Sequence, residues 1–308
     1  MKKNKNSVIF QRPDEVRKNN DLIRSQGMTA LQRKSFAIIL RNTIEQYKEN
    51  NSWKRWYEIS LSDYKKVMSH EKSMPTKYIR NELEELTKIA FKWGNDKYGN
   101  YTNISIALAG FEIKEGVFRW ELSSFLEDKI LQDGYTLLKL SVILAMKGKY
   151  TIALYELLLQ WKIRKWVEFT IDEFRILMGI NDEYKTMSNF KKKVLTPAIE
   201  EINIKSNIKI IGYQNLKKGA KIVGFRFDFK ELSEQEMKER DKREILKEKY
   251  LKHYKKDIGR EFKIDKKVYS LKKEGLICRG VILHDFIDSI EFLANLKKSG
   301  LLVTVSGK

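Results

Sequence analysis

The sequence predicts an α+β protein built on a duplicated unit, and three observations lead to this fold class. Two short stretches resemble each other at an offset of 110 residues. Each stretch is preceded by one amphipathic helix pattern and followed by another, and each copy closes with a β-hairpin pattern. With 308 residues and 42% hydrophobic composition, the chain is long and apolar enough to bury a sizeable core.

The duplicated stretch is EISLSDYKKVM at residues 58–68 and EFTIDEFRILM at residues 168–178. Each copy alternates apolar and polar residues for a few positions and then changes to helical spacing. Ser62 and Asp172 stand at the change, where a side-chain oxygen can cap the first turn of a helix. The pattern therefore predicts a short strand followed by a capped helix in both copies.

The flanking patterns extend each copy to a complete small domain. Each copy has a predicted helix before the strand, another after the capped helix, and a hairpin turn. In the first copy these elements lie at 31–50, 76–91 and 114–116. In the second they lie at 150–165, 188–203 and 217–219. This is the order of a winged helix, a helix-turn-helix with a β-hairpin wing. The chain is therefore predicted to hold tandem winged-helix domains with a charged C-terminal extension.

Apolar residues at helical spacing predict which side chains of the third helix in each copy face the core. These are Tyr78, Leu83, Leu86 and Ala90 in the first copy, and Phe190, Val194, Leu195, Ala198 and Ile202 in the second. Pro197 lies in the middle of the second of these helices and predicts a kink, because proline has no N–H to donate and its ring crowds the preceding turn. Such a kink can let the front of the helix follow a groove, or it can have no functional purpose.

The patterns divide the chain into five segments. They are a basic N-terminal arm over 1–27, the first winged helix over 28–133, the second over 134–230, a charged helical linker over 231–263 and a small C-terminal module over 264–308. In the last segment, residues 283–293 place apolar side chains on one helical face, and LLVTV at 301–305 can form a closing strand. Three roles stay open for residues 231–308: packing on the second winged helix, binding a host protein, or association of protomers.

The charge of the chain indicates its partners. The formal net charge is +20 and the pI is about 9.6, which favours polyanions such as nucleic acid or an anionic membrane surface. No run approaches the roughly 20 apolar residues of a membrane-spanning helix, and the N-terminus lacks the pattern of a secretory signal. A single cysteine, Cys278, excludes an internal disulfide framework. We therefore expect a soluble, cytoplasmic protein that binds a polyanion and does not span a membrane.

Positive charge is concentrated in the second copy. Residues 185–230 hold eleven Lys/Arg and three acidic residues, whereas residues 76–130 hold eight Lys/Arg and nine acidic residues. The helix at 188–203 carries three consecutive lysines in its first turns, although the helix dipole favours acidic residues there. In a helix-turn-helix this end of the second helix enters the major groove, and lysines on a wing contact phosphates. The predicted DNA-binding residues are Ser188, Asn189, Lys191, Lys192 and Lys193 on the helix, Lys217, Lys218 and Lys221 on the wing, and, as further candidates, Arg226, Arg164, Lys77 and Arg80.

Other interpretations of these charges stay open. A charge run can be an ordinary solvated face, and two similar packing units need not bind DNA at all. In the first copy, the acidic half of the helix at 76–91 repels phosphates and favours contact with another protein chain.

The sequence shows no motif for catalysis. It contains no phosphate loop for ATP hydrolysis and no GxGxxG after a strand. DNA-nicking replication enzymes need a close histidine pair that holds a metal beside a nucleophilic tyrosine, whereas His70, His253 and His284 are widely spaced. His284, Asp288 and Glu291 fall at helical spacing and could in principle hold a divalent ion, but a polar helix surface explains them equally simply. No catalytic residue, metal or cofactor is therefore predicted.

Several stretches resemble the replication initiator (Rep) proteins of iteron-bearing plasmids. They lie in the family's order over residues 19–230, and they are NNDLIRSQGMTALQRKSFAIIL, KYTIALYELLLQW, FTIDEFRILMGI, NFKKKVLTPAIEEIN and KKGAKIVGFRFDF. The resemblance implies a reading helix over Ser188–Asn203, a wing tip over Lys217–Lys221, and a first winged helix that supports dimer contacts and accessory DNA binding. Residues after 230 do not share it.

The resemblance also implies a function. The protein would bind repeated origin sites in double-stranded DNA, open adjacent AT-rich DNA, and recruit the host replication initiator and helicase. Exchange between monomer and dimer is implied too, with dimers repressing the protein's own gene. A winged-helix transcriptional regulator is the alternative, and a DNA-nicking replication enzyme is a third possibility.

Overall fold

A computed structural model describes residues 14–24, 27–68, 74–95, 101–180, 183–253, 258, 261–264, 267–272, 275–278, 281–298 and 303–305. The chain divides into two compact units, Met1–Glu231 and Leu232–Lys308. Each unit has a hydrophobic core of its own.

The first winged helix follows the predicted order, preceded by a short strand and helix. Its elements are β1 (Glu15–Asn19), α1 (Asn20–Ile23), α2 (Ala30–Asn50), β2 (Tyr57–Ser60), α3 (Leu61–Met68), α4 (Thr76–Thr87), β3 (Ala90–Asn95), β4 (Tyr101–Ile106), β5 (Gly110–Lys114), β6 (Val117–Glu121) and α5 (Ser124–Leu131). Strands β2, β6 and β5 form an antiparallel sheet in that order, and β3 pairs with β4 in a separate hairpin.

The second winged helix repeats this plan. Its elements are β7 (Tyr135–Lys139), α6 (Leu140–Ala145), α7 (Lys149–Leu159), β8 (Trp166–Thr170), α8 (Ile171–Leu177), α9 (Met187–Phe190), a π-helical turn (Lys191–Leu195), α10 (Thr196–Lys205), β9 (Ile208–Lys218) and β10 (Lys221–Glu231). The sheet order β8, β10, β9 matches β2, β6, β5 of the first copy. The predicted α+β fold class with tandem winged helices is confirmed.

The helix after each duplicated strand is capped earlier than predicted. The Ser60 hydroxyl accepts the backbone N–H of Asp63 (3.0 Å), and the Thr170 hydroxyl accepts that of Glu173 (3.2 Å). The cap is therefore the last residue of the strand in both copies, and the prediction of Ser62 and Asp172 was wrong. An N-cap residue needs an extended backbone, which the end of a strand already provides.

The third helix of the first copy is shorter than predicted. It ends at Thr87, and Ala90 belongs to strand β3, where it is exposed and not in the core. Tyr78 is also exposed, and Ile79 is buried in its place. The stretch after Thr87 is a strand because its side chains alternate: Phe91 is fully buried and packs on Phe36 with ring centroids 5.0 Å apart.

Residues from Glu15 onward belong to the folded unit, although a basic arm was predicted over 1–27. Strand β1 pairs antiparallel with β7, and its Val16 and Lys18 are buried. The composition of this stretch resembled that of an exposed arm because the strand carries the bases Arg17 and Lys18. Residues 1–13 of the predicted arm lie outside the described residues.

A buried ionic cluster joins the two winged helices. Glu156 on α7 accepts Lys18 Nζ of β1 at 3.0 Å and Arg33 Nη1 of α2 at 2.8 Å, and none of the three side chains is more than 2% exposed. Burial lowers the pKa of Lys18, and the Glu156 carboxylate opposes that shift. Removing one partner from such a cluster leaves an uncompensated buried charge, which costs about 3–5 kcal/mol in comparable cases.

The second unit is a five-stranded antiparallel sheet with two helices. Its elements are α11 (Glu234–His253), β11 (Glu261–Ile264), β12 (Lys267–Lys272), β13 (Gly275–Cys278), β14 (Val281–His284), α12 (Phe286–Lys298) and β15 (Val303–Val305), with the strand order β14, β13, β12, β11, β15. The charged run predicted as a linker over 231–263 is largely α11. Its Arg243 donates to Asp285 (2.6 Å) and to Asp288 (2.8 Å), so α11 is part of this unit.

The closing strand predicted near the C-terminus is present, and so is the predicted helix, but the helix begins at Phe286. Leu283, which was predicted on its apolar face, belongs to strand β14. Phe286, Ile287, Ile290 and Leu293 are buried on α12, and β15 pairs with β11.

The metal interpretation was wrong in its premise, because His284 ends strand β14 and does not share a helix with Asp288 and Glu291. Among the described residues there is no cluster of His, Cys, Asp or Glu suited to hold a metal ion. In the same part of the chain, no helix is both long and apolar enough to cross a membrane.

Candidate nucleic-acid interface

The front of the reading helix is fixed by a cap and by aromatic packing. Thr186 is the N-cap residue of α9, and its side chain accepts a hydrogen bond from the backbone N–H of Asn189. Phe190 is buried, and its ring stacks on Phe225 of β10 with centroids 5.7 Å apart and meets Phe174 of α8 edge to face at 6.2 Å. These contacts hold the first turn of the reading helix against the strand that leads away from the wing tip.

A kink was predicted at Pro197; the structure has a π-helical turn over Lys191–Leu195, directly before α10, and Pro197 lies in the first turn of α10. Proline cannot donate an N–H to the carbonyl of residue 193, so a regular α-helix cannot continue through this point. The wider turn lets the consecutive residues Val194 and Leu195 both be buried. π-helical turns occur often at functional sites, and this one presents the three lysines.

The polar side chains at the front of the reading helix point away from the core. Ser188, Asn189, Lys192 and Lys193 are exposed, and Lys191 is half-buried. Within the described parts of the chain, none of the three lysines has a carboxylate partner in an ion pair. The front of the helix is therefore an uncompensated positive surface that also lies against the positive helix N-terminus.

The rear of the reading helix explains the acidic residues that follow the lysines. Glu201 accepts the backbone N–H groups of Lys147 (2.8 Å) and Gly148 (3.0 Å) at the start of α7, and it pairs with Lys205 at 2.8 Å. Burial acts to raise its pKa, but hydrogen bonds from Lys205 and from the two backbone N–H groups outweigh burial and lower it. Glu201 thus anchors the reading helix to the domain. Sequence reasoning missed this role; the i, i+4 spacing of Glu201 and Lys205 was the available signal.

The wing tip adds a second positive surface. Strands β9 and β10 pair up to Lys218 opposite Lys221, and Gly219 between them takes a left-handed φ of 62°. Lys217, Lys218 and Lys221 are all exposed, and none has an ion-pair partner among the residues described. Like charges directly opposite each other on paired strands are destabilising. An anion bound at the tip would relieve that repulsion.

Arg226 and Arg164 lie elsewhere. Arg226 is held by Asp228 (2.9 Å) and Glu168 (3.2 Å), and Arg164 stacks on Trp166 with its guanidinium carbon 3.4 Å from the ring centroid. Trp166 pairs with Asp228, seven residues along β10 from Lys221, which is about 23 Å at 3.3 Å per residue. The two arginines are therefore not part of the lysine surface at the wing tip.

On the corresponding surface of the first winged helix, several positive side chains contact carboxylates or a backbone carbonyl of the chain itself. Lys77 and Arg80 are exposed on the first turns of α4, and Arg80 donates to the carbonyl of Ile113 on the wing at 3.4 Å. At the end of the same helix, the C-cap residue Lys88 pairs with Glu85 at 2.6 Å. At the wing tip, Lys114 lies 3.7 Å from Glu115. The predicted residues Lys77 and Arg80 thus stand in a surface where charge is largely neutralised.

Comparison with known proteins agrees with the two-domain architecture. The family model described as "Initiator Replication protein, WH1" matches residues 15–159, and the model described as "Initiator Rep protein, WH2" matches residues 170–229. Together they cover more than half of the chain. None of the curated protein sequences matches it.

The solved structures that are similar to this chain include those of the Pi initiator protein and of RctB. The Pi initiator protein, crystallised in complex with iteron DNA, aligns with a TM-score of 0.54 and 18% identity over 73% of this chain and all of that chain. Domains 2 and 3 of RctB align with a TM-score of 0.43 and 14% identity over 67% of this chain and 84% of that chain. The similarity to the Pi initiator protein supports the winged-helix fold of this chain. With both of its winged-helix domains matched by the family models, the chain belongs to the initiator Rep proteins.

Proposed function

We propose that this protein initiates plasmid replication by binding repeated double-stranded DNA sites at an origin, with the second winged helix as the main reader. One observation carries the assignment of the site: the front of the reading helix and the wing tip each carry three lysines with no ion-pair partner among the described residues, and all of them except the half-buried Lys191 are exposed. Membership of the initiator Rep family supports the role, and the Pi initiator protein was crystallised with iteron DNA.

The two lysine surfaces have different tasks in this proposal. The reading helix enters the major groove, where Asn189 and the adjacent lysines reach base edges and neighbouring phosphates. The wing tip lies along the sugar–phosphate backbone, where Lys217, Lys218 and Lys221 supply affinity and register but little sequence information. The first winged helix contributes accessory contacts through Lys77 and Arg80, since Lys88 and Lys114 nearby lie close to carboxylates of the chain.

The remaining steps of the function follow from the family. The bound protein would open adjacent AT-rich DNA, recruit the host replication initiator and helicase, and exchange between monomer and dimer, with the dimer repressing its own gene. The protein would act in the cytoplasm and without catalysis of its own. In support of the last point, no nucleotide-binding loop motif occurs in the sequence.

Footprinting of the full-length protein on the DNA around its own gene tests this proposal, with permanganate as a probe for unpaired thymines. Several evenly spaced protected repeats beside a reactive AT-rich segment are expected. A single protected site without reactive thymines would identify a transcriptional regulator instead. Nicking of supercoiled plasmid on addition of magnesium or manganese would show an enzyme and contradict the non-catalytic role.

A further inference from the structure

The outer faces of the two wing sheets carry an equivalent row of side chains. In the second winged helix the row runs across three strands from Glu168 through Arg226 to Gln214. In the first it runs from Glu58 through Arg119 to Glu112. A tryptophan stands two residues before the first glutamate of each row, Trp166 in one copy and Trp56 in the other.

In the second winged helix the tryptophan is covered by the chain's own arginines. The guanidinium carbon of Arg164 lies 3.4 Å from the centroid of the Trp166 ring, and that of Arg226 lies 4.4 Å from it. Stacking of a guanidinium on an indole is a favourable cation–π contact. Arg226 is in turn held by Glu168 at 3.2 Å. This copy therefore shows which chemical group the arrangement accommodates.

In the first winged helix the equivalent indole is uncovered. Trp56 is 39% exposed, and in the described part of the chain no cation lies over its ring. Lys54, which takes the position of Arg164 in the repeat, does not stack on it. Beside the indole is a cavity of about 370 Å³, lined by Trp56, Glu58, Glu112 and Arg119.

The same face of the first winged helix carries three carboxylates, those of Glu58, Glu112 and Glu121, against two arginines, Arg119 and Arg55. Arg119 donates to Glu58 at 2.8 Å and lies 3.7 Å from Glu112. In the second copy the neutral Gln214 takes the place of Glu112, and two carboxylates, Glu168 and Asp228, stand against the two arginines, Arg226 and Arg164. The extra carboxylate and the bare indole occur together, in the copy that supplies no stacking guanidinium of its own.

We propose that this cavity binds an arginine side chain of a separate protein partner. The guanidinium would stack on Trp56, as Arg164 stacks on Trp166, and would donate to Glu112. A lysine is less suitable, because an ammonium lacks the planar fork that pairs with a carboxylate while stacking on a ring. Nucleic acid is excluded as the occupant by the carboxylates, which repel phosphates. The inference does not depend on the origin-binding role of the second winged helix.

The test uses the full-length protein labelled with 5-fluorotryptophan and observed by ¹⁹F NMR, with the Trp56 resonance identified through Trp56→Phe. The probe is the peptide acetyl-GGRGG-amide, and the control is the same peptide with citrulline, which has the shape of arginine without its charge. We expect a saturable shift of the Trp56 resonance, with the arginine peptide binding at least about fivefold more tightly. Glu112→Gln should weaken the arginine peptide by a similar factor. Equal responses to both peptides, or no saturable shift, would overturn the proposal.

Two further results test the comparison between the copies and the source of the arginine. Arg164→Ala uncovers one face of Trp166, so its resonance should gain a response to the arginine peptide while Trp56 keeps its own. A Trp166 resonance that stays unresponsive would remove the basis of the analogy and overturn the proposal. A shift of the Trp56 resonance on concentrating the protein without peptide would show that a second copy of the chain occupies the cavity, which would overturn the assignment to a separate partner.

Discussion

The two wing tips show how one architecture can carry two surfaces. In the first winged helix, Lys114 at the tip lies 3.7 Å from Glu115, and the turn is closed by Glu115 and Gly116 in left-handed conformations. In the second, Lys218 faces Lys221 across the turn, and neither has an ion-pair partner among the described residues. The strands pair in the same order in both copies. The lysine at the first wing tip thus has a carboxylate of the chain close by, whereas the lysines at the second wing tip have none among the described residues.

The third helices of the two copies differ in the same way. Lys88, the C-cap residue of α4, pairs with Glu85 at 2.6 Å, whereas Lys191, Lys192 and Lys193 lack such partners within the described residues. The buried positions are alike, with Leu83 in one helix and Leu195 in the other fully inside the core. The comparison teaches that buried residues maintain the shared plan, while the pairing of exposed charges differs between the copies; under the proposed function, this difference selects the copy that reads DNA.

The largest effect is expected from the reading helix. Replacing Lys191, Lys192 and Lys193 together by alanine should reduce specific affinity for an origin repeat at least about 100-fold, because each base contact contributes roughly 1–3 kcal/mol of discrimination. Fluorescence anisotropy with a labelled duplex measures the loss. The fold should be retained, since Lys192 and Lys193 are exposed.

The matched control removes three lysines from the first winged helix. Lys88→Ala, Lys92→Ala and Lys114→Ala together change the net charge by the same amount, at positions away from the second winged helix. A loss of less than about fivefold is expected, from long-range charge alone. Equal losses in the two triple variants would show that net charge, and not the reading helix, controls binding.

The next effect concerns the buried cluster that joins the copies. Glu156→Gln leaves Lys18 and Arg33 without a buried counter-charge, so the free energy of unfolding should fall by about 3–5 kcal/mol. The exposed pair of Lys88 and Glu85 offers the contrast, and Glu85→Gln should cost less than about 1 kcal/mol. Urea denaturation monitored by circular dichroism measures both. Similar losses of unfolding free energy in the two variants would mean that Glu156 contributes no more to stability than an exposed charge does.

A smaller effect is expected from the wing tip. Replacing Lys217, Lys218 and Lys221 by alanine should weaken binding to all duplexes alike, and the slope of log K against log salt should become shallower by about 0.9 for each lost phosphate contact. A titration series on one specific and one unrelated duplex measures this. If only the specific duplex were affected, the wing tip would be contacting bases and its assignment to the backbone would be wrong.

The smallest effects concern the dependence of folding stability on pH, which has opposite signs for one glutamate in each copy. Burial and the neighbouring carboxylates of Asp128 and Glu121 raise the pKa of Glu127 in the first winged helix to about 7 from 4.5. Its contribution to stability is therefore full below pH 4.5 and is lost as the pH rises through 7. The pKa of Glu201 in the second winged helix is lowered, so its contribution is present above pH 4.5 and is lost as the pH falls below that value.

Thermal melts of two variants separate these contributions. Glu127→Gln should be more stable than the wild type at pH 8 and similar to it at pH 4. Glu201→Gln should be less stable than the wild type at pH 7, with a smaller difference near pH 3. Parallel behaviour of the two variants across this range would show that the copies do not differ in this respect.

The duplicated plan could be predicted from sequence because the periodicity of apolar residues reports directly on burial. Phe190, Ala198 and Ile202 repeat at helical spacing, and they are buried as predicted. The end of α4 could not be placed in this way, because Ile89, Ala90 and Phe91 fit a helix and a strand equally well and the pairing with β4 decides between them. Lys18 was taken for part of an exposed arm, since its partner Glu156 is 138 residues away in sequence.

The candidate site was predictable in outline from the lysine runs. Which cations are paired depends on three-dimensional proximity, and this separates Arg226, held by Asp228 on its own strand, from Lys221 on the same strand. The π-helical turn was likewise beyond sequence reasoning. Pro197 indicated an irregularity, but its form depends on the packing of both Val194 and Leu195 into the core.

Site-specific photo-crosslinking tests the central claim most directly, that the second winged helix and not the first reads the DNA sequence. A photoreactive p-benzoylphenylalanine is placed at Asn189 on the reading helix or at Lys77, its counterpart on α4, in the full-length protein bound to a footprinted repeat. The account predicts strong crosslinks from position 189 to bases inside the repeat, and weaker crosslinks from position 77. Stronger base crosslinks from position 77 than from position 189 would contradict it.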